Sequence, residues 1–221
     1  MYKYKTKERE ENIMANNIKV VNNLGKGIEV HITSDNVVEI NWESKKKQLS
    51  ELKPGDIFKD KEGTEYIVCD DLGESTLVIR KDLLEIDMRF GKTNDWRKSE
   101  IRKYLNDTYY SKLKDLFGEN AIRKIHTNLV SLDGWDDCGS CDDMVAMVTA
   151  MDYMKYHKYI GNCNRSYWML TPNSMLTTEN VRVVCSNGNT RCYDCDWDHG
   201  VRPFFILQSD IFVSCEGAVR E

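Results

Sequence analysis

The part of the sequence that most constrains the fold reads Glu65-Tyr-Ile-Val-Cys69, then Asp70-Asp-Leu-Gly73, then Thr76-Leu-Val-Ile-Arg80. The two apolar runs are short and rich in β-branched and aromatic residues, and the glycine-containing segment between them is typical of a turn, so they predict two strands. Farther along the chain, Ser99 suits a helix N-cap, and apolar residues follow it at helical spacing. The pattern predicts an α+β fold with helices early and a β-rich C-terminal half.

Apolar periodicity predicts the other elements. Helices are expected from about Ser111 to Ile125 and from Met151 to Tyr159, and His126 and His157 are placed on these helices. Strands are expected at Ile18–Val21, Ile28–Ile32, Val37–Trp42, Tyr167–Leu170, Val181–Cys185 and Phe204–Leu207.

The chain is expected to contain a small N-terminal part and one main domain. A proline–glycine turn opens the main domain, which is assigned to residues 52–216. Residues 15–51 are assigned to an N-terminal β segment, in which the charged stretch from residue 43 is expected to be a linker or short helix. Met14 is an alternative start, and residues 1–14 would then be a non-native leader.

The composition excludes several classes of protein. Of the 221 residues, 41% are hydrophobic and 30% are charged, as in ordinary globular domains. A net charge of −5 disfavours nucleic acid as a partner, because that affinity rests on Lys and Arg neutralising phosphates. No apolar run approaches the roughly 18 residues that a membrane span needs. The charged N-terminus does not resemble a signal peptide, so we expect cytoplasmic synthesis and no membrane partner.

Eight cysteines raise the question of metal binding. Two Cys-x-x-Cys pairs, Cys138 with Cys141 and Cys192 with Cys195, would supply the four thiolates of a tetrahedral zinc site. About 50 residues separate the pairs, whereas compact zinc modules use roughly 15–20. Acidic neighbours also remove the positive field that lowers the pKa of a thiol. Reduced thiols without a metal are the favoured expectation, and zinc or a disulfide stays open as an alternative.

The sequence carries no established catalytic motif. It has four histidines, none in a His-Glu-x-x-His motif, and neither a Gly-x-Ser-x-Gly elbow nor a phosphate-binding loop is present. A catalytic thiol–imidazole pair would have to combine His199 with Cys163 or Cys195. Alternate aspartates in residues 194–198 mimic half of a calcium loop, but position 12 of an EF-hand would be Phe205. Calcium held by a looser set of oxygens stays open.

An ordered series of motifs resembles one known family. The motifs are Trp96-x-x-Ser99-x-Ile-Arg102-x-x-Leu105-Asn106, Asp133-Gly134, Asp143-Met-Val-Ala-Met-Val-Thr-Ala-Met-Asp-Tyr153, Tyr167-Trp168-Met-Leu-Thr-Pro172, Val183-Val-Cys185-x-x-Gly188 and Gly200-Val-Arg-Pro203-Phe-Phe-Ile-Leu. From about Leu52 to Glu216 the chain resembles the domain-of-unknown-function family 6273 of Gram-positive gut bacteria and their phages. That family in turn resembles C-type-lectin-like domains, including the formylglycine-generating-enzyme type.

The resemblance implies a C-type-lectin-like binding scaffold. It does not imply a known reaction, because the thiol pair that the enzyme relatives use with copper does not map residue by residue onto Cys192 and Cys195. Among the motif residues, Trp96, Trp168 and Pro203 are expected to be core or turn anchors. Arg102 and Arg202 are expected to hold a buried carboxylate or carbonyls through the planar guanidinium fork.

The resemblance also implies a ligand surface. In some C-type-lectin-like proteins, diversity-generating retroelements randomise adenines in Asn-type codons of this region. Residues 162–167 and 187–199 consist almost wholly of amino acids that such codons yield, and these residue types supply adaptable contacts in binding loops. The expected ligand-binding residues are Asn162, Asn164, Tyr167, Asn187, Asn189, Arg191, Tyr193, Asp194, Asp196, Trp197, Asp198 and His199. An ordinary polar loop is the simpler interpretation and stays open.

We therefore expect a non-enzymatic phage or prophage protein, without a cofactor, that presents a variable loop surface to a protein or glycan ligand. The aspartates favour a basic or Ca²⁺-bridged partner. The N-terminal segment would attach the domain to a phage particle, a cell surface or another copy of the chain. Two alternatives stay open: a phage inhibitor of a bacterial defence protein that mimics phosphate charge, and a cysteine- or metal-dependent enzyme of the formylglycine-generating type.

Overall fold

A computed structural model describes residues 28–32, 38–42 and 45–215, with side chains from residue 46 onward. The chain divides between Ser44 and Lys45 into two units. In the first unit, β1 (Ile28–Ile32) and β2 (Val38–Trp42) pair antiparallel, and both were predicted as strands. The strand expected near residue 18 and the alternative start at Met14 lie outside the described residues.

The second unit is dominated by strands. Their bounds are β3 (Lys45–Gln48), β4 (Ile57–Lys59), β5 (Glu65–Asp71), β6 (Ser75–Arg80), β7 (Asp87–Arg89), β8 (Ile122–Arg123), β9 (Ile125–Asn128), β10 (Ser140–Asp143), β11 (Tyr167–Pro172), β12 (Asn180–Val184), β13 (Thr190–Asp194), β14 (Asp198–Gly200), β15 (Phe204–Gln208) and β16 (Phe212–Cys215). A seven-stranded sheet has the order β3-β16-β4-β5-β6-β15-β8, and a five-stranded sheet has the order β13-β12-β11-β14-β7. β9 and β10 form a separate antiparallel pair.

The helices lie in the middle of the chain. They are α1 (Glu100–Tyr104), a π-helical turn (Leu105–Tyr109), α2 (Tyr110–Phe117) and α3 (Ala150–Ile160). Ser99 caps α1 as predicted, since its side chain accepts from the Ile101 and Arg102 N–H groups. Across the described ranges, no helix combines the length and apolar character that crossing a bilayer requires. The α+β class expected from the sequence is confirmed.

The second predicted helix is shorter than expected. It ends at Phe117 because Gly118 follows with φ +98°, a left-handed conformation that stops an α-helix. The chain then forms β8 and β9, so the prediction that the helix continues to Ile125 is wrong. His126 accordingly lies on β9, whereas His157 lies on α3 as expected.

Helices cover both faces of the seven-stranded sheet. Phe205 of β15 lies 6.5 Å from the Phe117 ring of α2, whereas its neighbour Phe204 lies 6.3 Å from the Tyr156 ring of α3. Because successive side chains of a strand point to opposite faces, α2 and α3 lie on opposite sides of the sheet. Residues 66–69 are therefore buried without interruption, which explains why that strand reads as a continuous apolar run.

The main unit begins earlier than the predicted boundary at residue 52. β3 pairs with β16, with Gln48 opposite Phe212, and the next residue, Leu49, is fully buried. The segment expected to be a linker or short helix thus supplies an edge strand and a core side chain. Its lysines hide this role in the sequence, since charged side chains are typical of exposed edge strands.

Candidate functional site

Several motif residues form a buried polar network. Asp143, which is almost fully buried, accepts hydrogen bonds from Trp96 Nε1 and Arg102 Nε, each at 2.8 Å. Asn106 Oδ1 accepts from the backbone N–H of Met144 at 2.8 Å. The expectation that Arg102 holds a carboxylate is confirmed, and this part of the motif series organises the core.

Arg202 is the second organising arginine. Its side chain is buried, and its guanidinium donates to the carbonyl oxygens of Arg80 at 2.9 Å, Lys81 at 2.8 Å and Ile160 at 2.6 Å. The end of β6 is thereby joined to the end of α3. The predicted role of Arg202 is confirmed, as is the burial of Trp96, Trp168 and Pro203.

The two predicted ligand segments contact each other at both ends. A Cβ placed on Gly188 would lie 2.8 Å from Asn162 Oδ1, so the Asn162 side chain packs directly against the Gly188 backbone. At the other end, Ser166 Oγ hydrogen-bonds His199 Nδ1 at 2.7 Å, and the Ser166 carbonyl accepts from the Gly200 N–H at 3.0 Å. The structure thus brings together segments that the sequence separates.

The segment from residue 187 to 199 is not an irregular loop. It follows a turn with Gly188 at φ +82°, continues as β13, and ends in β14, which lies between β11 and β7. Among the described strands β13 pairs with β12 alone, and apart from the half-buried Tyr193 its residues are exposed. An edge strand that buries neither face has no apolar alternation, so sequence periodicity did not reveal it.

Most of the predicted ligand residues are accessible. The exposed ones are Asn162, Asn164, Asn187, Asn189, Arg191, Asp194, Asp196, Trp197 and Asp198, and Tyr193 and His199 are half-buried. Tyr167 is fully buried, with the Arg202 guanidinium 5.4 Å from its ring centroid. The prediction that Tyr167 contacts a ligand is therefore wrong. Tyr167 begins β11, every residue of which is buried.

Trp197 is the exposed end of a row of aromatic rings. The centroid of Trp197 lies 5.5 Å from that of Tyr193, and Tyr193 and Trp168 each lie 4.7 Å from His199. Trp168 in turn lies 5.7 Å from Phe90, and these two side chains are fully buried. Trp197 itself is 54% exposed. Ring pairs at such distances attract one another, so the row fixes a surface indole to the core.

The uncharged imidazole of His199 lies between Trp168 and Tyr193 in this row. Its Nε2 atom is buried and has no hydrogen-bond partner within the described part of the chain. Burial lowers the pKa of the imidazole, and the nearby carboxylates of Asp87 and Asp198 oppose this effect only in part. The ring is therefore neutral near pH 7, where it stacks between two aromatic neighbours.

The sheet separates acidic side chains from the aromatic row. Asp194 follows Tyr193 on β13, and Asp198 precedes His199 on β14, so both carboxylates point to the face opposite these rings. Neither forms an ion pair with any described residue. The aromatic face instead carries Arg191, which lies two positions before Tyr193 on the same side of the strand.

The cysteines do not assemble a four-thiol site. Cys138 and Cys195 are buried, Cys141 is half-buried and Cys192 is exposed, and all eight cysteines are free thiols. Over residues 45–215, no group of three or more His, Cys, Asp or Glu side chains converges in a way that would hold a metal ion.

The two candidate catalytic thiols face backbone oxygens. Cys195 Sγ is 3.9 Å from the Thr178 carbonyl, and Cys163 Sγ is 3.9 Å from the Lys81 carbonyl. Burial raises the pKa of Cys195 to about 12 and also raises the pKa of Cys163. Neither thiol hydrogen-bonds His199, so the geometry provides no activated thiolate–imidazole pair.

β7 borders the surface, although no sequence signal predicted its role. The Met88 carbonyl accepts from Trp168 Nε1 at 2.8 Å, and Met88 pairs with His199 across the sheet. Asp87 forms an ion pair with Arg165 at 2.6 Å. This strand has only three residues and comes from a distant part of the chain, so local periodicity carries no trace of the contact.

The fold and this surface define an α+β protein whose exposed aromatic residues are anchored to its core. Comparison of the chain with family models, with curated proteins and with solved structures finds no match. The case for a function therefore rests on the geometry of the surface.

Proposed function

We propose that the chain is a non-enzymatic binding protein of C-type-lectin-like fold, of phage or prophage origin, that presents residues 162–166 and 187–199 to a protein or glycan ligand. The observation that carries the proposal is the exposed Trp197 indole at the end of the aromatic row. Tryptophan is enriched among the residues that dominate binding energy.

The rigidity of the surface supports this proposal. The indole of Trp197 packs on Tyr193, and the row continues to side chains that are fully buried. A contact residue that is held in place before binding loses little conformational entropy when the ligand arrives. Exposed Asn and Arg side chains of the same segments provide hydrogen-bond donors and acceptors for adaptable contacts, whereas Asp194 and Asp198 lie on the opposite face of their strands.

Ligand selection tests the proposal directly. The full chain is used to probe a displayed random-peptide library and a glycan array, and the dissociation constants of recovered ligands are measured by biolayer interferometry. We expect Trp197→Ala to weaken binding about tenfold or more, the loss expected for a central tryptophan. Trp135→Ala is the matched control, because Trp135 is also 54% exposed but lies outside the proposed surface. The control should leave affinity unchanged.

Two outcomes would contradict the proposal. One is the recovery of ligands that bind Trp197→Ala as tightly as the natural sequence. The other is the failure of both libraries to yield a ligand.

Diversification of the surface by a retroelement makes a separate prediction. Among natural copies of the gene, substitutions should concentrate at exposed positions such as Asn187, Asn189 and Arg191. Buried Cys195 and left-handed Gly188 should stay constant, because changes there would disturb packing or backbone. Sequencing isolates checks this, and substitutions spread evenly over exposed and buried positions would refute it.

A further inference from the structure

A pocket of about 310 Å³ lies apart from the proposed ligand surface and shares no residue with it. Strands β5 and β6 contribute Tyr66 and Arg80 to its lining. The π-helical turn contributes Tyr109, and α2 contributes Lys112. The side chains of Leu84, Ile86 and Leu116 form its apolar walls. A volume near 300 Å³ is at the lower end for small-molecule sites, so the pocket suits a small ligand.

The Tyr109 hydroxyl is the first feature that points to a ligand. The side chain is only 6% exposed, and its hydroxyl forms no well-aligned hydrogen bond among the described residues, although the Tyr66 hydroxyl lies close enough to influence its pKa. Burial raises the pKa of Tyr109 to about 12, so the hydroxyl keeps its proton as a donor. The neighbouring Tyr66 hydroxyl, in contrast, donates to Asp60 Oδ2 at 2.9 Å. Buried polar groups without a partner are rare and call for an explanation.

Arg80 is the second feature. Its Nη1 donates to the Leu83 and Asp82 carbonyls, which leaves Nε and Nη2 without a partner in the described structure. No described carboxylate lies within ion-pair distance of its guanidinium. A guanidinium edge with two free donors matches the geometry of a carboxylate.

The other charges around the pocket favour a ligand with a single negative charge. Lys112 is already paired with Glu62 at 2.9 Å. Asp60 contributes a buried negative charge beside Tyr66, and Glu85 lines the pocket. The pocket offers the positive charge of one unpaired arginine, and two carboxylates lie nearby. The charge of a dianion such as phosphate would therefore be compensated less well than that of a monoanion.

We propose that this pocket binds a small organic acid. Its carboxylate accepts from the free Nε and Nη2 donors of Arg80 and from the Tyr109 hydroxyl. The short apolar body of the acid packs against Leu84, Ile86 and Leu116. The Tyr109 hydroxyl has almost no accessible surface, so a side chain in the pocket wall moves when the acid enters.

Paired probes of the same shape test the charge requirement. Benzoate and its uncharged counterpart benzamide are titrated into the full chain by isothermal calorimetry, with hexanoate as an aliphatic acid. We expect both acids to bind and benzamide to bind at least tenfold more weakly. A peptide with a capped glutamate distinguishes a free acid from a protein side chain, and it should bind more weakly than benzoate because the pocket is small.

Variants test the two assigned donors. Arg80→Gln should weaken benzoate binding at least tenfold, and Tyr109→Phe should weaken it several-fold. Tyr110→Phe, at the adjacent residue outside the pocket, should have no effect. Since the Tyr109 hydroxyl forms no well-aligned hydrogen bond, Tyr109→Phe should also leave the urea midpoint of the ligand-free protein unchanged or higher.

Several results would overturn the proposal: no binding of either acid, equal binding of benzoate and benzamide, or a capped glutamate that binds as tightly as benzoate. A lower urea midpoint for Tyr109→Phe would also overturn it, because the hydroxyl would then have a partner inside the protein. These measurements do not involve Trp197. Ligand binding at the Trp197 surface is therefore tested independently of acid binding in this pocket.

Discussion

At the scale of single residues, Arg202 shows how one side chain joins segments that are far apart in sequence. Its donors reach the successive carbonyls of Arg80 and Lys81, and also that of Ile160 at the end of α3. These carbonyls lie at the end of β6 or α3, or one residue after it. Their hydrogen-bond donors therefore have to come from another part of the chain. Five donors in a planar fork allow one arginine to meet several such acceptors, which a lysine cannot do.

Replacing Arg202 should therefore destabilise the fold strongly. Arg202→Met leaves several buried carbonyls unpaired, and we expect the free energy of unfolding to fall by about 3 kcal/mol or more. Arg202→Lys keeps the charge but not the fork and should recover only part of the loss. Urea unfolding at pH 7 measures both. Arg191→Met is the control at an exposed arginine, and a loss for Arg202→Met no larger than for this control would be inconsistent with the assigned role.

His199 should make stability depend on pH. Its pKa in the folded protein is lowered, chiefly by burial, so folding favours the neutral imidazole. This contribution is complete above the unfolded pKa of about 6.5 and is lost as the pH falls below it. His199→Phe keeps a ring in the aromatic row but cannot titrate. Urea unfolding between pH 7.5 and 5 should show a smaller loss of stability for this variant than for the natural sequence, and equal losses would count against the assignment.

Among the elements, the β12–β13 hairpin determines the position of the proposed ligand surface. Its turn places Gly188 against Asn162, and the Tyr153 hydroxyl of α3 donates to the Gly188 carbonyl at 2.8 Å. The hairpin is thus held by the loop that follows α3 and by α3 itself. The proposed ligand surface is consequently part of the folded sheet, and its side chains are positioned by strand pairing.

Gly188→Ala should test whether the close contact between Gly188 and Asn162 stabilises the fold. The new Cβ would meet Asn162 Oδ1 at 2.8 Å, and the left-handed backbone adds strain, so we expect a loss of about 1–3 kcal/mol. Gly73→Ala is the matched control, because Gly73 also has positive φ but open space around it. In urea unfolding, Gly188→Ala should cost more than Gly73→Ala, and adding Asn162→Ala should remove the difference. Equal costs for the two glycines would mean that the close approach is unimportant.

At the scale of the whole molecule, the main unit is closed by pairing of its two ends. β3 at its start lies beside β16 at its end, and β16 also contacts β4. Leu49, immediately after β3, is fully buried in the core. The residues before the proline–glycine turn are therefore part of the main domain.

Leu49→Ala tests whether this N-terminal closure contributes to stability. Removing a fully buried leucine side chain should cost about 2–5 kcal/mol. Leu72→Ala, at a leucine that is 48% exposed, should cost clearly less. Urea unfolding monitored by tryptophan fluorescence compares the two variants. Similar small losses would show that residues 45–51 are dispensable, as a boundary at residue 52 implies.

Sequence patterns alone predicted the α+β class, the strands at 65–80, the start of α1 and nearly the whole of α3. The sequence also identified Arg102 and Arg202 as organising side chains. The two arginines were selected by the resemblance of their motifs to a known family and given their role by guanidinium chemistry, whereas the elements follow from local periodicity or from a cap. Such signals are present wherever an element packs one face, or both, against the core.

Four features became visible only in the folded chain: β3 closes the sheet, α2 stops at Gly118, residues 190–194 form an edge strand, and Tyr167 is buried. The tertiary structure alone brought β7 to the proposed ligand surface and placed Tyr109 in the same pocket as Arg80. The reason is the same in each case: these features depend on contacts between segments far apart in the chain. Edge strands and pocket walls bury too little of one face to leave a periodic pattern in the sequence.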